Sequence, residues 1–563
     1  MNRVWQIQPR VSDDIVLQLL HNRSISSQNA EVFLNPDYDR DLHDPFLFLQ
    51  MQTAVDRILI AIEKSEKIVV HGDYDADGIC GSTLIMDVLK HVSDAMGVEL
   101  NASVFLPHRE RDGYGVASHT VDQIIKDKTS LLITVDCGIS NAKELDAGEE
   151  SGLDVIICDH HQLAEQLPKF AVIIHPLAPG ENYPNKKLCG TGVAFKFACA
   201  LLICARERGI KVGDGYEKWL LDLVAIATVT DIVPLLGENR ALEKFGLKVL
   251  NRTRRPGLLK IIQNANLELG KIKTDDIGFR IGPRLNAAGR LKDASVAFDA
   301  LNAKTQDEAD SYSKNLEMLN RERQRISDFA FQEAKQQIIG QEARYAHVVW
   351  SDSWTPGILG LVAGKIANEF NVSTFALSKS GDQFIGSGRS ANGLHLVEAM
   401  RACGDIFIKA GGHPEACGLT LESLEMVQIF SNKVNAYAET VLKEKLESQE
   451  FLIDAQVDVK NIDFEFYKNI MQFEPFGTGN PTPVFAIQNA TVGSIQAIGS
   501  EGKHLRLRLE DNGSALECIG FGFGKYASQL KIGSTASIAF KLRVNEWNGN
   551  TKLQAEIADI VIK

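Results

Sequence analysis

Residues 67–78 read KIVVHGDYDADG, and they decide how the rest of the chain is understood. An apolar run of strand character leads directly into His71, Asp73, Asp75 and Asp77. Carboxylates two residues apart repel one another in a dry pocket if all are ionised. They face either water, as an ordinary acidic turn, or a cation that makes the arrangement favourable. The same design recurs downstream in LLITVDCG, DVIICDHH and AVIIHP, with helical segments such as CGSTLIMDVLKHV and ASHTVDQIIKD between the early ones. Strands rich in Val and Ile that alternate with helices predict a parallel sheet covered on both faces. In such a sheet the carboxyl ends of the strands share one edge, and ligands bind there. Asp136 ends the second run, Asp159, His160 and His161 end the third, and His175 ends the fourth.

His71, Asp75, Asp77, Asp136, His160 and the more distant Asp231 form a mixed carboxylate–imidazole set. Such a set suits Mn²⁺ or Mg²⁺, with histidine tilting the choice towards manganese. Two ions about 3.5–4 Å apart clamp a scissile phosphate and stabilise the departing oxygen. Taken singly, each aspartate also fits a turn or a helix cap; Asp77 before Gly78 would cap a helix starting near Ile79. Delivered together to one edge, they are expected to face metal. His175 has no comparable claim, and a bond to backbone is expected of it.

The remaining sequence sets the frame. A chain of 563 residues is too long for one core, so three or more domains are expected. Apolar content of 44% with 24% charged residues is that of a globular protein. The first residues lack the apolar stretch of a secretory signal, and the most apolar region, LLDLVAIATVTDIVPLL, is too short and too broken by aspartates to span a bilayer, so a cytoplasmic protein with no membrane partner is expected. Nine cysteines without a C-x-x-C pair argue against a zinc ribbon or a disulfide framework. The net charge of −13 argues against an indiscriminate nucleic-acid coat but leaves room for a local basic groove. Residues 1–49 read as helical and irregular, and 305–338 as one long helix whose apolar stripe Arg323 interrupts. A second α/β segment follows. From about Phe451 the pattern is β-rich, with KHLRLRL alternating and VNEWNGNTKLQAEI reading as a hairpin around Asn548–Gly549, which predicts a small barrel.

HGDYDADG, TVDCGI and CDHH resemble the first three motifs of the DHH phosphoesterase superfamily. LCGTGVAFK, ATVTDIVPL and IGPRLNAAGR resemble further motifs of its RecJ branch, SGRS and GGHPEACG those of a DHHA1 domain, and FEPFGTGNPTPVF the segment leading into a RecJ OB domain. The resemblance covers nearly the whole chain in order. It implies an α/β fold of two lobes, a DHH parallel-sheet domain and a DHHA1 domain, joined by a long helix, plus a C-terminal OB-like β-barrel. The corresponding division is 1–49 helical arm, 50–304 DHH domain, 305–342 connecting helix, 343–446 DHHA1 domain and 447–563 OB-fold nucleic-acid-binding domain. It further implies Asp75, Asp77, Asp136, His160 and Asp231 as metal ligands. Asp73, His71, Asp159 and His161 are left as ligands to a second ion, orienting groups or contacts to the scissile phosphate.

Arg284, Asn286, Arg290, Ser387 and Arg389 would hold a terminal phosphate, although a salt-bridged set of arginines between lobes is the plain alternative. His413, in a glycine-rich turn, would touch the substrate phosphate. Arg109, Arg111 and Tyr114 offer basic and aromatic groups to a single strand, as do Arg506, Arg508, Lys541, Arg543 and Trp547 on the barrel; a solvated loop and a charged barrel face are the alternatives. The implied activity is metal-dependent 5′→3′ hydrolysis of single-stranded DNA to 5′-mononucleotides in recombination and repair. A phosphodiesterase for very short RNA or cyclic dinucleotides, and a silent single-strand-binding scaffold, are the rivals. A single copy of the chain is expected to suffice, and a helicase and a single-strand-binding protein stay open as partners.

Overall fold

The structure, a computed structural model, describes residues 4–149, 151–340, 344–446, 450–511, 513–547 and 550–562. It forms two units, one of His43–Val233 with Phe245–Glu447, the other of Met1–Leu42, Pro234–Lys244 and Ser448–Lys563.

The larger unit begins with the predicted parallel sheet. Its five strands lie in the order Ala102–Phe105, Ile68–Gly72, Leu131–Val135, Asp154–Cys158, Val172–Ile174, every pair parallel. Ile68–Gly72 and Leu131–Val135 are buried at every residue. That explains their unbroken apolar runs, since helices cover both faces and no residue alternates outward. The helix after the first strand starts earlier than expected. It spans Ala76–Met96, and its N-cap is Asp75, which accepts from the backbone N–H of Asp77 (3.0 Å) and Gly78 (3.3 Å). Asp77 is therefore not the cap, and its carboxylate is free for other partners. Asp231 also arrives differently from the others. It ends the apolar helix Leu221–Thr230 instead of a strand.

The long helix spans Gln306–Ile338 and opens with a capping box in which Thr305 and Glu308 satisfy each other's backbone donors. Its buried positions include Leu316, Asn320, Ser327, Ala330 and Ala334, and half-buried Arg323 falls in the same 3–4 spaced stripe. A second, five-stranded sheet follows, ordered Phe407–Gly412, Ala416–Leu421, Gln383–Arg389, Ser373–Ser380, Ala346–Ser351. Only the pairing of Ala346–Ser351 with Ser373–Ser380 is parallel.

In the smaller unit, Phe485–Ile498 pairs on one side with His504–Asp511 and on the other with Thr535–Trp547. Ser514–Gly520 and Asn550–Ile562 complete the ring, so the barrel is closed and leaves no long edge unpaired. Trp547 pairs with Asn550 as the expected hairpin requires; Asn548 and Gly549 themselves lie outside the described residues. The reading of 1–49 as a helical, irregular arm is corrected at its start. Val4–Ile7 is a strand, paired in parallel with Glu450–Ile453. Four residues are too few to show a period, and their partner lies more than four hundred residues away. Arg506 and Arg508 share an exposed barrel face as expected. Acids stand among these cations, however: Arg508 pairs with Glu510 (3.2 Å) and lies opposite Glu517, and Arg543 is ion-paired to Glu556. Among the described residues no single helix is long and apolar enough to cross a membrane.

Candidate active site

The turn 73–78 is folded tightly on itself. A side chain on Gly78 would run into the backbone of Asp73. The N-terminus of the helix Gly190–Glu207 then fixes Asp77, whose two oxygens accept from Gly190 N–H and Thr191 N–H at 2.7 Å each. This is the role of LCGTG. Its glycine lets the helix end approach, and the aligned N–H groups favour a carboxylate there. Asp136 sits directly after its strand in left-handed backbone, φ 63°. Such a conformation is uncommon for a non-glycine residue and tends to mark functional positions.

Among the described residues, three groups of side chains have ligand atoms within 4.8 Å of one another: Asp136 with His160 and His161; Asp77 with His160 and Asp231; Asp73 with Asp75 and Asp136. Nε2 of His160 is 3.1 Å from Asp136 Oδ1, 3.7 Å from Asp231 Oδ2 and 3.8 Å from Asp77 Oδ2. Asp136 Oδ1, His160 Nε2, Asp231 Oδ2, Asp73 Oδ1 and His71 Nε2 are all buried without a hydrogen-bond partner. Orphaned buried acceptors are costly, and those of Asp73, Asp136, His160 and Asp231 belong to these converging groups. Burial, then the neighbouring carboxylates, raises Asp73, Asp75, Asp136 and Asp231 above the ordinary carboxyl range. Burial likewise lowers His160 and brings His71 down to about 4, so both imidazoles are neutral. Neutral imidazoles and clustered carboxylates are the donor set a divalent cation requires, and the residues fit one.

Asp159 belongs to the support. Burial would raise it, but the bond to His161 and the charge on that ring hold it below the usual range. Its Oδ1 accepts from His161 Nδ1 (2.8 Å) and His160 N–H (2.7 Å), its Oδ2 from Ile139 N–H (3.0 Å). Burial opposes the charge on His161, yet the bond to Asp159 together with the charges of Asp159, Asp231 and Asp73 outweighs it and lifts His161 to about 9. His175 is bonded to backbone at both ring nitrogens, Nε2 to the His161 carbonyl and Nδ1 to Leu177 N–H. Tyr114 lies beside His161, ring centroids 5.3 Å apart.

Next to the acids lies a second cluster, of arginines. Burial lowers Arg290 to about 10, helped by the charges of Arg109, Arg389 and Arg323, while Asp75 is near enough to oppose the shift. Arg290 donates to the Gly357 carbonyl (3.0 Å), closing the two lobes of the unit on each other at this point. Arg389 is held by Ser387 Oγ (3.0 Å) and the Gly388 carbonyl (2.7 Å), and Ser387 in turn donates to the Cys417 carbonyl. The guanidinium of Arg109 stacks 4.0 Å over the Tyr74 ring. The Nε atoms of Arg109 and Arg323 are buried without a partner.

The structure thus brings Arg109, Arg290, Ser387 and Arg389 together. Arg284 is engaged elsewhere, with Glu317 (2.8 Å) and the Arg280 carbonyl (2.7 Å). Asn286 ties the helix Gly282–Leu291 to the acidic turn by accepting from Ala76 N–H (2.7 Å). His413 stands exposed in the turn between Phe407–Gly412 and Ala416–Leu421, and Arg111 pairs with Asp112 (2.9 Å). Sequence reasoning missed Tyr74 and Arg323. The break that Arg323 makes in an otherwise small or apolar stripe was the available signal.

Family models match three stretches of the chain: DHH family, N-terminal domain, at residues 67–228; DHHA1 domain at 342–440; RecJ OB domain at 453–559. Single-stranded-DNA-specific exonuclease RecJ of Bacillus subtilis (strain 168) is 36% identical over 559 residues, covering 97% of this chain and 68% of that protein. The protein of the same name from Escherichia coli (strain K12) is 31% identical over 534 residues, covering 91% and 90%. The crystal structure of RecJ in complex with Mn²⁺ from Thermus thermophilus superimposes with a TM-score of 0.81 at 26% identity, covering 98% of this chain and 76% of that one.

Proposed function

The chain belongs to the RecJ family, and from that premise we propose that it is a divalent-metal-dependent exonuclease specific for single-stranded DNA, cutting 5′→3′ and releasing 5′-mononucleotides. The observation that carries this reading is the convergence of buried, unpartnered ligand atoms on Asp73, Asp136, His160 and Asp231 beside a buried arginine cluster. Asp75, Asp77, Asp136, His160 and Asp231 hold the metal, with Asp73 serving a second ion. When bound, manganese or magnesium neutralises the acids and supplies the positive charge and polarised water that phosphodiester hydrolysis needs.

The side chains do the rest. Asp77, clamped by Gly190 and Thr191, and His160, whose backbone is held by Asp159, need no rearrangement to accept an ion. His161 stays protonated because Asp159 accepts from its Nδ1, which leaves the Nε2 N–H to donate to a phosphate oxygen of the substrate. Arg109, Arg290, Arg323 and Arg389 receive the 5′-terminal phosphate, and Ser387 keeps Arg389 aimed. Their mutual repulsion favours a dianion over solvent. Arg290 also blocks the way onward through its contact with Gly357, so a strand enters by its end and only the terminal linkage reaches the acids. Contacts of this kind are to phosphate and carry little sequence information. The family setting is DNA recombination and repair.

The test uses one single-stranded oligonucleotide labelled at either end, incubated with manganese, magnesium or chelator. Release of labelled mononucleotide from the 5′ end, dependent on metal and absent on duplex, is the expected result. Cleavage of dinucleotides with no digestion of longer strands would refute the reading.

A further inference from the structure

Two of the most exposed apolar side chains of the larger unit lie on backbone that packs beside the Asp231 end of the acid cluster. Ile232 is 69% exposed and follows Asp231 directly, in left-handed backbone (φ 60°) that β-branched residues rarely adopt. Phe279 is 80% exposed and lies on a single π-helical turn, Ile277–Ile281, immediately before the helix Gly282–Leu291. The two backbones are neighbours: a side chain on Gly278 would lie against Val229, and one on Gly282 would press on Thr230. A wider turn inserted in a helix is a frequent mark of a functional position, as is left-handed backbone at a bulky residue.

Spacing along the helix says what these side chains are for. Phe279, Pro283, Asn286 and Arg290 are separated by four, three and four residues, which places them on one face. Asn286 on that face holds the acidic turn at Ala76, and Arg290 belongs to the arginine cluster. The face therefore runs from the arginines, past the acids, to Phe279, about 16 Å from Arg290 at 1.5 Å per residue. The two ends of the acid cluster are ordered in the same sense. Asp75 is the carboxylate that Arg290 feels, whereas Asp231 is grouped with Asp77 and His160.

We propose that Phe279 and Ile232 form an apolar platform that stacks the bases just 3′ of the scissile phosphate and so holds the strand in line with the metal centre. This inference rests on the exonuclease reading, with the 5′-phosphate among the arginines and the scissile phosphate at the acids. An aromatic ring suits any base, because every base has a π face, and it needs no sequence preference. Both residues are positioning residues, since neither reaches the reacting phosphate.

The test is a set of 5′-phosphorylated strands in which one abasic residue is placed at successive positions from the 5′ end. With the wild-type chain, removing a base shortly 3′ of the scissile phosphate is expected to raise KM about fivefold or more with kcat little changed. Phe279→Ala is expected to raise KM on the intact strand by a similar factor and to be indifferent to the abasic residue, while Phe279→Trp restores both. An unchanged KM for Phe279→Ala on the intact strand, or the same abasic penalty in variant and wild type, would overturn the platform. If the wild-type chain digests no strand, the exonuclease reading has failed separately. Equilibrium binding of intact and abasic strands in chelator still decides the platform by the same comparison.

Discussion

Replacing Gly190 by alanine puts a methyl group where the structure has no room for one. An ideal Cβ on Gly190 would lie 2.6 Å from both Cβ and Oδ1 of Asp136 and 2.8 Å from its Cγ. Carbon atoms settle about 3.5–4.0 Å apart, so Asp136 has to retreat by about an ångström. It has little freedom to do so, being 2% exposed and fixed in left-handed backbone. Alternatively the helix end backs away, and the 2.7 Å bonds from Gly190 and Thr191 to Asp77 lengthen. Either way one acid leaves its place. Stability gives a smaller signal, because two effects oppose each other. Overpacking costs about 1–3 kcal/mol, and alanine in place of glycine at a helix start returns roughly 0.4–1 kcal/mol through the unfolded chain. Activity has no such offset. A displacement of about 1 Å in a positioned group costs on the order of a hundredfold, equivalent to about 2.7 kcal/mol of barrier. Gly190→Ala is therefore expected to melt within a few degrees of wild type while losing about a hundredfold in manganese-dependent turnover of end-labelled single strands. Gly192→Ala is the control, since its nearest neighbour would be a flexible Leu188 methyl at 3.3 Å. Parental turnover by Gly190→Ala at the same half-saturating manganese would refute the assignment of Asp136 and Asp77 to the metal.

Asp136→Asn should raise the melting temperature in chelator, because it removes one of several mutually repelling buried carboxylates. Saturating manganese, worth about 4 kcal/mol to the wild type at a thousand times Kd, should stabilise the variant much less; equal manganese shifts would sink the ligand role. Arg389→Ala should reduce the preference for 5′-phosphate over 5′-hydroxyl ends tenfold or more, since it removes a charged fork that Ser387 aims; an unchanged ratio of kcat/KM would dismiss end capture. Glu243 is wholly buried with neither oxygen partnered, and burial raises its carboxyl well above the usual range. A raised acid is tolerated below its unfolded value near 4.5 and withholds stability as pH climbs above it. Glu243→Met should accordingly gain about 1–3 kcal/mol at pH 8 and little at pH 4.5; a loss at both would contradict the reasoning.

The parallel sheet was legible because period and chemistry agreed. Runs such as LLITV, buried at every residue, have no alternation to mislead, and each ends in a charged residue that an apolar core could not keep. The acids and histidines at 73–77, 136 and 159–161 follow from topology alone once those strands are parallel. Asp231 does not, because it ends a helix, and the strand pattern that places the others says nothing of it. The helix start at Ala76 was misplaced by three residues since both Asp75 and Asp77 have cap chemistry, and choosing between them needed to know that Gly190 and Thr191 arrive at Asp77. Arg284 and Arg290 sit in one short motif and look alike. Glu317 on the long helix claims the first and none of the surrounding sequence reveals it. The strand Val4–Ile7 was invisible for the same reason, its partner being at Glu450–Ile453.

Two clusters of opposite sign, each repelling itself, meet where Asp75 faces Arg290. Folding alone leaves both unfavourable, and neither can be relieved by sliding towards the other, because Asn286 fixes the turn and Gly357 fixes Arg290. The proposed ligands carry the complementary pattern: cations for the acids, and a terminal phosphate for the arginines. Metal and strand end thus stabilise the same arrangement from opposite sides. Each is expected to bind better when the other is present, by an equal factor in both directions. That reciprocity ties specificity to chemistry. On the proposed reading an interior phosphate would meet the acids only if the strand passed through the arginine cluster, where Arg290 bonds to Gly357 across the two lobes. A 5′-hydroxyl end reaches the acids but leaves three neighbouring guanidiniums around Arg290 uncompensated, and the metal it should have helped to hold is held less well.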